Sequence, residues 1–184
     1  MKRLLIIVLV FISLQLTAQK TITNTENFTV EGAVKQIKTF SLQDLAGLIV
    51  KEKDSIVITN HLLERKSALK NIKGVLLKDV LGILSIDQNN PKLLSEYYIV
   101  CIAADNYKVV FSWNEIFNNE TGNQVLIVTE HDGKKSAEMN DRIALLTLND
   151  EATGRRYVKG LQKIIIERVK NKYENKYSFI WSAC

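Results

Sequence analysis

Apolar and polar residues follow one another in short runs along this chain, and turn-forming residues separate the runs. Runs rich in β-branched and aromatic residues predict strands. Apolar residues at helical spacing predict helices over 41–49 and 75–86, and Ser112 with Glu115 predicts the start of a short third helix. Because these elements do not alternate regularly, the pattern predicts an α+β domain. The predicted strands cover 28–32, 55–59, 97–103, 107–111, 125–129, 134–137, 142–148 and 161–169.

The N-terminus has the three-part pattern of a secretory signal peptide. Lys2 and Arg3 precede an apolar run over 4–14, and small residues follow near Ala18. The run is shorter than the ~20 residues that a bilayer-spanning helix needs, so no stable membrane span is predicted. The sequence therefore predicts a signal peptide over 1–19 and an exported protein, either periplasmic or secreted.

The remainder of the chain is predicted to form one domain over 20–170, followed by an aromatic tail over 171–184 that packs on it. Loss of Lys2 and Arg3 lowers the net charge from +5 to +3. A weakly basic exported chain argues against nucleic-acid binding, which usually relies on clustered cations.

Few residues have the spacing of a catalytic or metal site. Cys101 lies in an apolar run and is predicted to be buried, and whether it pairs with Cys184 stays open. With His61 and His131 as the only histidines, no zinc-type spacing exists, and no metal ligand is predicted. No nucleophile–base motif is present, so no catalytic residue is assigned.

The segment from Gly154 to Gly160 is the strongest candidate for binding chemistry. It holds Arg155, Arg156 and Lys159 within five residues, and such cations can bind a phosphate. A solvated basic loop is the alternative. If the segment turns, Arg156 and Lys159 are expected to face one pocket, and removing either should weaken anion binding without lowering stability.

Several motifs occur in an order that resembles the molybdopterin-binding domain of the sulfite oxidase superfamily, in its short, exported, stand-alone form. They lie at 28–32 with 40–45, at 73–81, at 104–116 and at 154–161, and the resemblance covers residues 28 to 169. It implies a mixed-sheet α+β fold and a molybdopterin cofactor. It places Arg156, Tyr157 and Lys159 around the pterin phosphate, with Arg155 beside them.

The sequence departs from that family where catalytic members ligate molybdenum. Their Cys ligand ends the strand that precedes the motif at 73–81, and here this strand ends in Asn60 and His61. A thiolate suits a soft metal, so the departure argues against molybdenum ligation, and Asn60 and His61 are retained as cofactor-binding candidates only.

Three functional hypotheses follow. The protein binds a pterin or a similar small phosphate-bearing anion without catalysis, it is a molybdenum oxidoreductase with an unusual ligand, or it is an interaction module that keeps only the fold. No protein partner can be named from the sequence.

Overall fold

Two β-sheets pack against each other in the computed structural model, which describes residues 25–170. The predicted signal peptide and the aromatic tail, including Cys184, lie outside the described residues. The first sheet has the order β2–β1–β11–β5–β6, with β1 and β11 parallel and the other pairs antiparallel. Its strands are β1 (Asn27–Gly32), β2 (Lys38–Ser41), β5 (Tyr97–Ala103), β6 (Lys108–Ser112) and β11 (Leu161–Arg168).

The second sheet is antiparallel throughout and has the order β10–β9–β7–β4–β3, with β8 paired to β7. Its two longest strands, β3 and β4, form a hairpin whose tip lies at residues 60–64. The strands are β3 (Val50–Thr59), β4 (Arg65–Leu76), β7 (Val125–His131), β8 (Lys134–Lys135), β9 (Ala144–Thr147) and β10 (Tyr157–Val158).

Short helices connect the strands: α1 (Leu42–Leu45), α2 (Leu77–Gly82) and α3 (Trp113–Phe117). Ser41 and Asp44 form a full capping box at the start of α1. At α3 the hydroxyl of Ser112 accepts a hydrogen bond from the Glu115 N–H at 3.0 Å, as predicted. No helix among the described residues combines the length and apolar character needed to cross a membrane.

The central strand β7 of the second sheet is buried on both faces of the sheet. Four consecutive residues of β7 are buried, and successive side chains of a strand point to opposite faces. Val125 and Ile127 therefore join the core between the two sheets, whereas Leu126 and Val128 join a second core on the far side. Cys101 lies on β5 in the first core, fully buried as predicted, and burial raises the pKa of its thiol to about 12.

A contact between two ends of the second sheet encloses this second core. The 3-10 turn Thr153–Arg156, directly before β10, lies against the end of β3. The Thr153 hydroxyl donates to the Val57 carbonyl at 2.7 Å and accepts from the Thr59 N–H at 2.9 Å, and the Thr153 N–H donates to the Thr59 hydroxyl at 3.2 Å. A Cβ on Gly154 would lie 2.4 Å from the Thr59 carbonyl oxygen, so this approach requires glycine.

The first half of β3 is an exposed sheet edge. Its residues from Val50 to Ser55 are exposed and carry alternating charges: Lys51, Glu52, Lys53 and Asp54. Because the Val57 carbonyl faces away from β4, the main-chain groups of the other odd-numbered residues of β3 also face outward. At this open edge, the N–H and C=O groups of Lys51 and Lys53 therefore point away from β4.

The predicted α+β class is confirmed, and so are most of the predicted strands. The helix predicted over 41–49 is only four residues long, and the helix predicted over 75–86 begins at Leu77. Val75 and Leu76 instead end β4, a strand that the sequence analysis missed before position 75. Pairing of β4 with both β3 and β7 extends the strand through residues whose apolar spacing also fits a helix.

Thr153→Val should destabilise the protein, because it removes a buried hydroxyl that donates one hydrogen bond and accepts another. We expect a loss of about 1–3 kcal/mol in the free energy of unfolding, measured by urea denaturation. Thr147→Val is the matched control. Thr147 is also buried, but its hydroxyl has no hydrogen-bond partner among the described residues. Equal effects of the two substitutions would contradict the role given to Thr153.

Candidate anion-binding groove

An open groove of about 700 Å³ lies beside the point where the second sheet closes. The β3–β4 hairpin, the turn between β5 and β6 and the segment before β10 form its walls. Three cationic side chains line it, and among the described lining residues there is no carboxylate. Its polar lining includes Lys66, Arg155, Lys159, His61, Ser67 and Tyr107.

Tyr157 forms a fixed surface on which one of the cations lies. Its side chain is only 8% exposed, and the Lys159 ammonium lies 4.9 Å from the centre of its ring. The Tyr107 hydroxyl donates a hydrogen bond to the Arg155 carbonyl, which ties the β5–β6 turn to the basic segment. Lys66, Arg155 and Lys159 themselves are exposed, and the Lys66 ammonium pairs with the Glu64 carboxylate at 3.2 Å.

Beneath the groove, a chain of polar side chains leads from Tyr157 to the β7–β8 turn. The Tyr157 hydroxyl donates to Asp141, whose other oxygen lies 3.3 Å from His131 Nε2. His131 Nδ1 lies 2.9 Å from Asp132, which in turn accepts a hydrogen bond from the Lys70 N–H. This network anchors Tyr157 from the side opposite to the groove.

The network shifts the protonation equilibria of its members. The hydrogen bond with Asp141 raises the pKa of His131 above its ordinary value; burial opposes this, and Asp132 adds to it. Burial acts to raise the pKa of Asp141, but hydrogen bonds from His131 and Tyr157 outweigh it and lower this pKa. Burial, together with the charge of Asp141, raises the pKa of Tyr157, so its phenol stays protonated at neutral pH.

Arg156 does not line this groove, which corrects the expectation that it faces one pocket with Lys159. Its guanidinium binds both oxygens of Asp150, with Nε to Oδ2 at 2.7 Å, and also binds Glu115. It lies over the Phe111 ring, 4.7 Å from the ring centre. Two carboxylates therefore neutralise Arg156 in a half-buried position, where it joins α3 to the segment before β10.

Asn60 and His61 do reach the groove, but the Asn60 side chain is engaged in shaping the hairpin tip. Its Oδ1 accepts hydrogen bonds from the N–H groups of Leu62 and Glu64 at 2.9 and 3.0 Å, and its Nδ2 donates to the Glu64 carboxylate. The structure thus brings five of the six predicted residues to one groove: Asn60, His61, Arg155, Tyr157 and Lys159. Their role in cofactor binding remains a prediction.

A smaller cavity of about 290 Å³ adjoins the groove and shares Tyr107, Tyr157 and Lys159 with it. Asp105 lines this cavity, and its Oδ1 accepts a hydrogen bond from the Tyr107 N–H at 3.0 Å. A carboxylate therefore lies on each side of the groove cations: Asp105 beside Lys159 in this cavity, and Glu64 paired with Lys66 at the hairpin tip.

Comparison with known proteins confirms the fold class. No protein-family model matches the chain, and no curated protein matches it significantly. The chain is similar to the crystal structure of the sulfane dehydrogenase SoxCD from Paracoccus pantotrophus, with a TM-score of 0.58 and 12% identity. The match covers 85% of this chain and 43% of that chain, so this chain spans less than half of it. At this identity the similarity shows the fold alone, and it supports the predicted molybdopterin-type architecture.

The residues of the groove fit the phosphate of a molybdopterin, but they do not fit a bound molybdenum. Cations and hydroxyls without a lining carboxylate suit a phosphate. A thiolate ligand is missing, because the only cysteine of residues 25–170, Cys101, is buried in the first core. Within the same residues, no three His, Cys, Asp or Glu side chains are grouped to hold a metal ion.

Sequence reasoning missed Lys66 and Ser67 because the start of β4 was not predicted. Residues 65–69 are three polar residues followed by two apolar ones, so no alternation of polar and apolar residues marks the start of this strand. It also missed the partners of Arg156, since Glu115 was explained by its place in a capping motif.

Protonated His131 should stabilise the folded state, because its pKa is higher there than the ordinary value of about 6.5 in the unfolded chain. This contribution is fully present below pH ~6.5 and is lost as the pH rises through the raised pKa of the folded state. The difference in unfolding free energy between wild type and His131→Gln should therefore shrink from pH 6 to pH 9. A constant or growing difference in urea denaturation would contradict the assignment.

Arg156→Ala should lower the free energy of unfolding by about 1.5–3 kcal/mol, the range for hydrogen bonds to charged groups. It leaves the Asp150 and Glu115 carboxylates, 15% and 28% exposed, without their shared cation. The neighbouring variant Arg155→Ala is the control and should change stability by less than about 0.5 kcal/mol. Equal stability of the two variants would show that the ion pairs of Arg156 do not support the fold.

Proposed function

We propose that the protein is an exported, sulfite-oxidase-like domain that binds a small phosphate-bearing anion, such as a pterin phosphate, in this groove without molybdenum catalysis. The observation that carries the proposal is the convergence of Lys66, Arg155 and Lys159 on one concave surface; no carboxylate is among its lining residues, and Lys66 pairs with Glu64 of the hairpin tip at 3.2 Å. Arg156, adjacent to Arg155, has two carboxylate partners, whereas the exposed side chains of Arg155 and Lys159 line the groove.

The groove supplies the donors that a phosphate needs. Arg155 offers a planar fork and the two lysines offer mobile point charges, and hydrogen bonds between ionised partners are about twice as strong as neutral ones. The Ser67 hydroxyl lies in the same wall and adds a neutral donor. Tyr157, with its hydroxyl bound to Asp141, offers its ring face to the lysine and to a flat ligand.

Molybdopterin is the cofactor that the sequence resemblance favours, and its phosphate would be held by Arg155, Lys159 and Lys66. A dithiolene-bound molybdenum supplies oxidation–reduction chemistry in that family, and this chain offers no thiolate at the groove to complete such a centre. We therefore assign the residues to binding and assign none to catalysis.

The interaction-module hypothesis keeps specific support, because the hairpin that forms one wall ends in exposed apolar residues. Leu62 and Leu63 are 64% and 57% exposed at the tip. A groove that binds an anion and a tip that contacts a partner are compatible, and the two functions can be separated by mutation.

Lys159→Ala and Arg155→Ala should each weaken binding of inorganic pyrophosphate by roughly ten- to a hundredfold, the equivalent of about 1.5–3 kcal/mol. Isothermal titration calorimetry at low ionic strength is the measurement, because salt screens exposed charges. Lys53→Ala is the matched control: it removes an exposed lysine from the same hairpin, about 20 Å along β3 from Thr59. Unchanged affinity in Lys159→Ala, or an equal loss in Lys53→Ala, would contradict the proposal.

The metal content of protein purified from its own host separates binding from catalysis. We expect less than one molybdenum per chain and no oxidation of sulfite. One molybdenum per chain would overturn the non-catalytic assignment and favour an oxidoreductase with an unusual ligand.

A further inference from the structure

The tip of the β3–β4 hairpin displays two leucines where a turn usually displays polar residues. Leu62 and Leu63 are both mostly exposed, and no described residue covers them. Leu63 has a φ of 62°, in the left-handed region that favours glycine or asparagine. The turn therefore holds a leucine in a conformation that residues other than glycine and asparagine rarely adopt, without burying its side chain.

The Asn60 side chain makes this turn rigid. The Asn60 side chain accepts hydrogen bonds from the N–H groups of Leu62 and Glu64. Two main-chain hydrogen bonds also close the turn: the Asn60 N–H donates to the Glu64 carbonyl at 3.0 Å, and the Leu63 N–H donates to the Asn60 carbonyl at 3.1 Å. The two leucines are thus presented by a built loop with fixed backbone. Leucines fixed in solvent suit a surface that buries them on contact.

The charges around the tip are suited to an anionic surface. Lys66, Arg155 and Lys159 lie along the groove behind the tip. The one acid of the turn, Glu64, is bonded to Asn60 and forms an ion pair with Lys66 at 3.2 Å. An apolar tip with cations directly behind it matches the depth profile of a lipid monolayer, where phosphate headgroups lie above the acyl chains.

We infer that the protein docks on an anionic membrane surface, with Leu62 and Leu63 inserted among the acyl chains and lipid phosphates bound by Lys66, Arg155 and Lys159. This inference rests on the proposed anion-binding role of the groove and specifies the anion as a lipid phosphate. A purely polar protein partner would leave the two leucines unburied, and a purely apolar one would make no use of Arg155 and Lys159 in the groove.

Co-sedimentation with lipid vesicles tests the inference. The protein is used in the form that its own host produces. We expect binding to vesicles of equal parts phosphatidylglycerol and phosphatidylcholine, with at least tenfold weaker binding to phosphatidylcholine alone or in high salt. Leu62→Asn with Leu63→Asn should lower the partition coefficient at least tenfold and leave pyrophosphate affinity unchanged, because asparagine tolerates positive φ and keeps the turn. Because every variant has the same N-terminus, the N-terminal segment contributes equally to vesicle binding in all of them.

Ile37→Asn is the matched control, since Ile37 is 63% exposed but lies beyond β1, at the far end of the first sheet from the β5–β6 turn. It should bind vesicles as the wild type does. In Leu62→Trp, tryptophan emission should shift to the blue on vesicle binding and be quenched by brominated lipid, and in Ile37→Trp it should not.

The outcomes separate this inference from the proposed function. Pyrophosphate binding without vesicle binding overturns the membrane inference and leaves the groove function standing, whereas loss of both refutes both. Vesicle binding that survives the leucine substitutions overturns the role of the tip. Binding to native membranes but not to lipid vesicles, or a wild-type dimer that the leucine substitutions dissociate, would assign the tip to a protein partner and also overturn the inference.

Discussion

The contact of Thr153 with β3 is the constraint on which the second core and the groove both depend. One hydroxyl and one N–H join residues 94 and 96 positions apart in sequence and bring the segment before β10 to the end of β3. The five paired strands between these points then surround Ile72, Leu126 and Leu146 on the inside of the curled sheet. Because Gly154 follows directly, the chain can come close enough for Arg155 and Asn60 to share a groove.

Two adjacent arginines have different surroundings because the 3-10 turn directs their side chains to different sides. Arg156 points toward α3, where Asp150 and Glu115 neutralise it and the Phe111 ring packs against it. Arg155 remains exposed and lines the groove. The difference follows from the position of the two carboxylates, which the fold supplies from segments 6 and 41 residues away.

The sequence predicted the fold class and most strands, since alternating runs such as 97–103 satisfy both local preference and burial. It failed at β4, where Asn71 has a positive φ and the apolar spacing after Ile72 also fits a helix. Five of the six residues that it assigned to cofactor binding line one groove, because three of them are close in sequence and Asn60 and His61 follow a predicted strand. It could not separate Arg155 from Arg156, because the partners of an arginine depend on long-range contacts that no local pattern encodes.

The charged edge of β3 has a consequence for the protein in concentrated solution. Since the main-chain groups of Lys51 and Lys53 face outward, an antiparallel ladder between two copies must pair odd positions with odd and even with even. Lysine would then meet lysine or a neutral residue, and Glu52 or Asp54 would never lie opposite a lysine. Like charges directly opposite each other destabilise such a ladder. The antiparallel registers that place these lysines opposite each other are therefore disfavoured at the longest open edge of the second sheet.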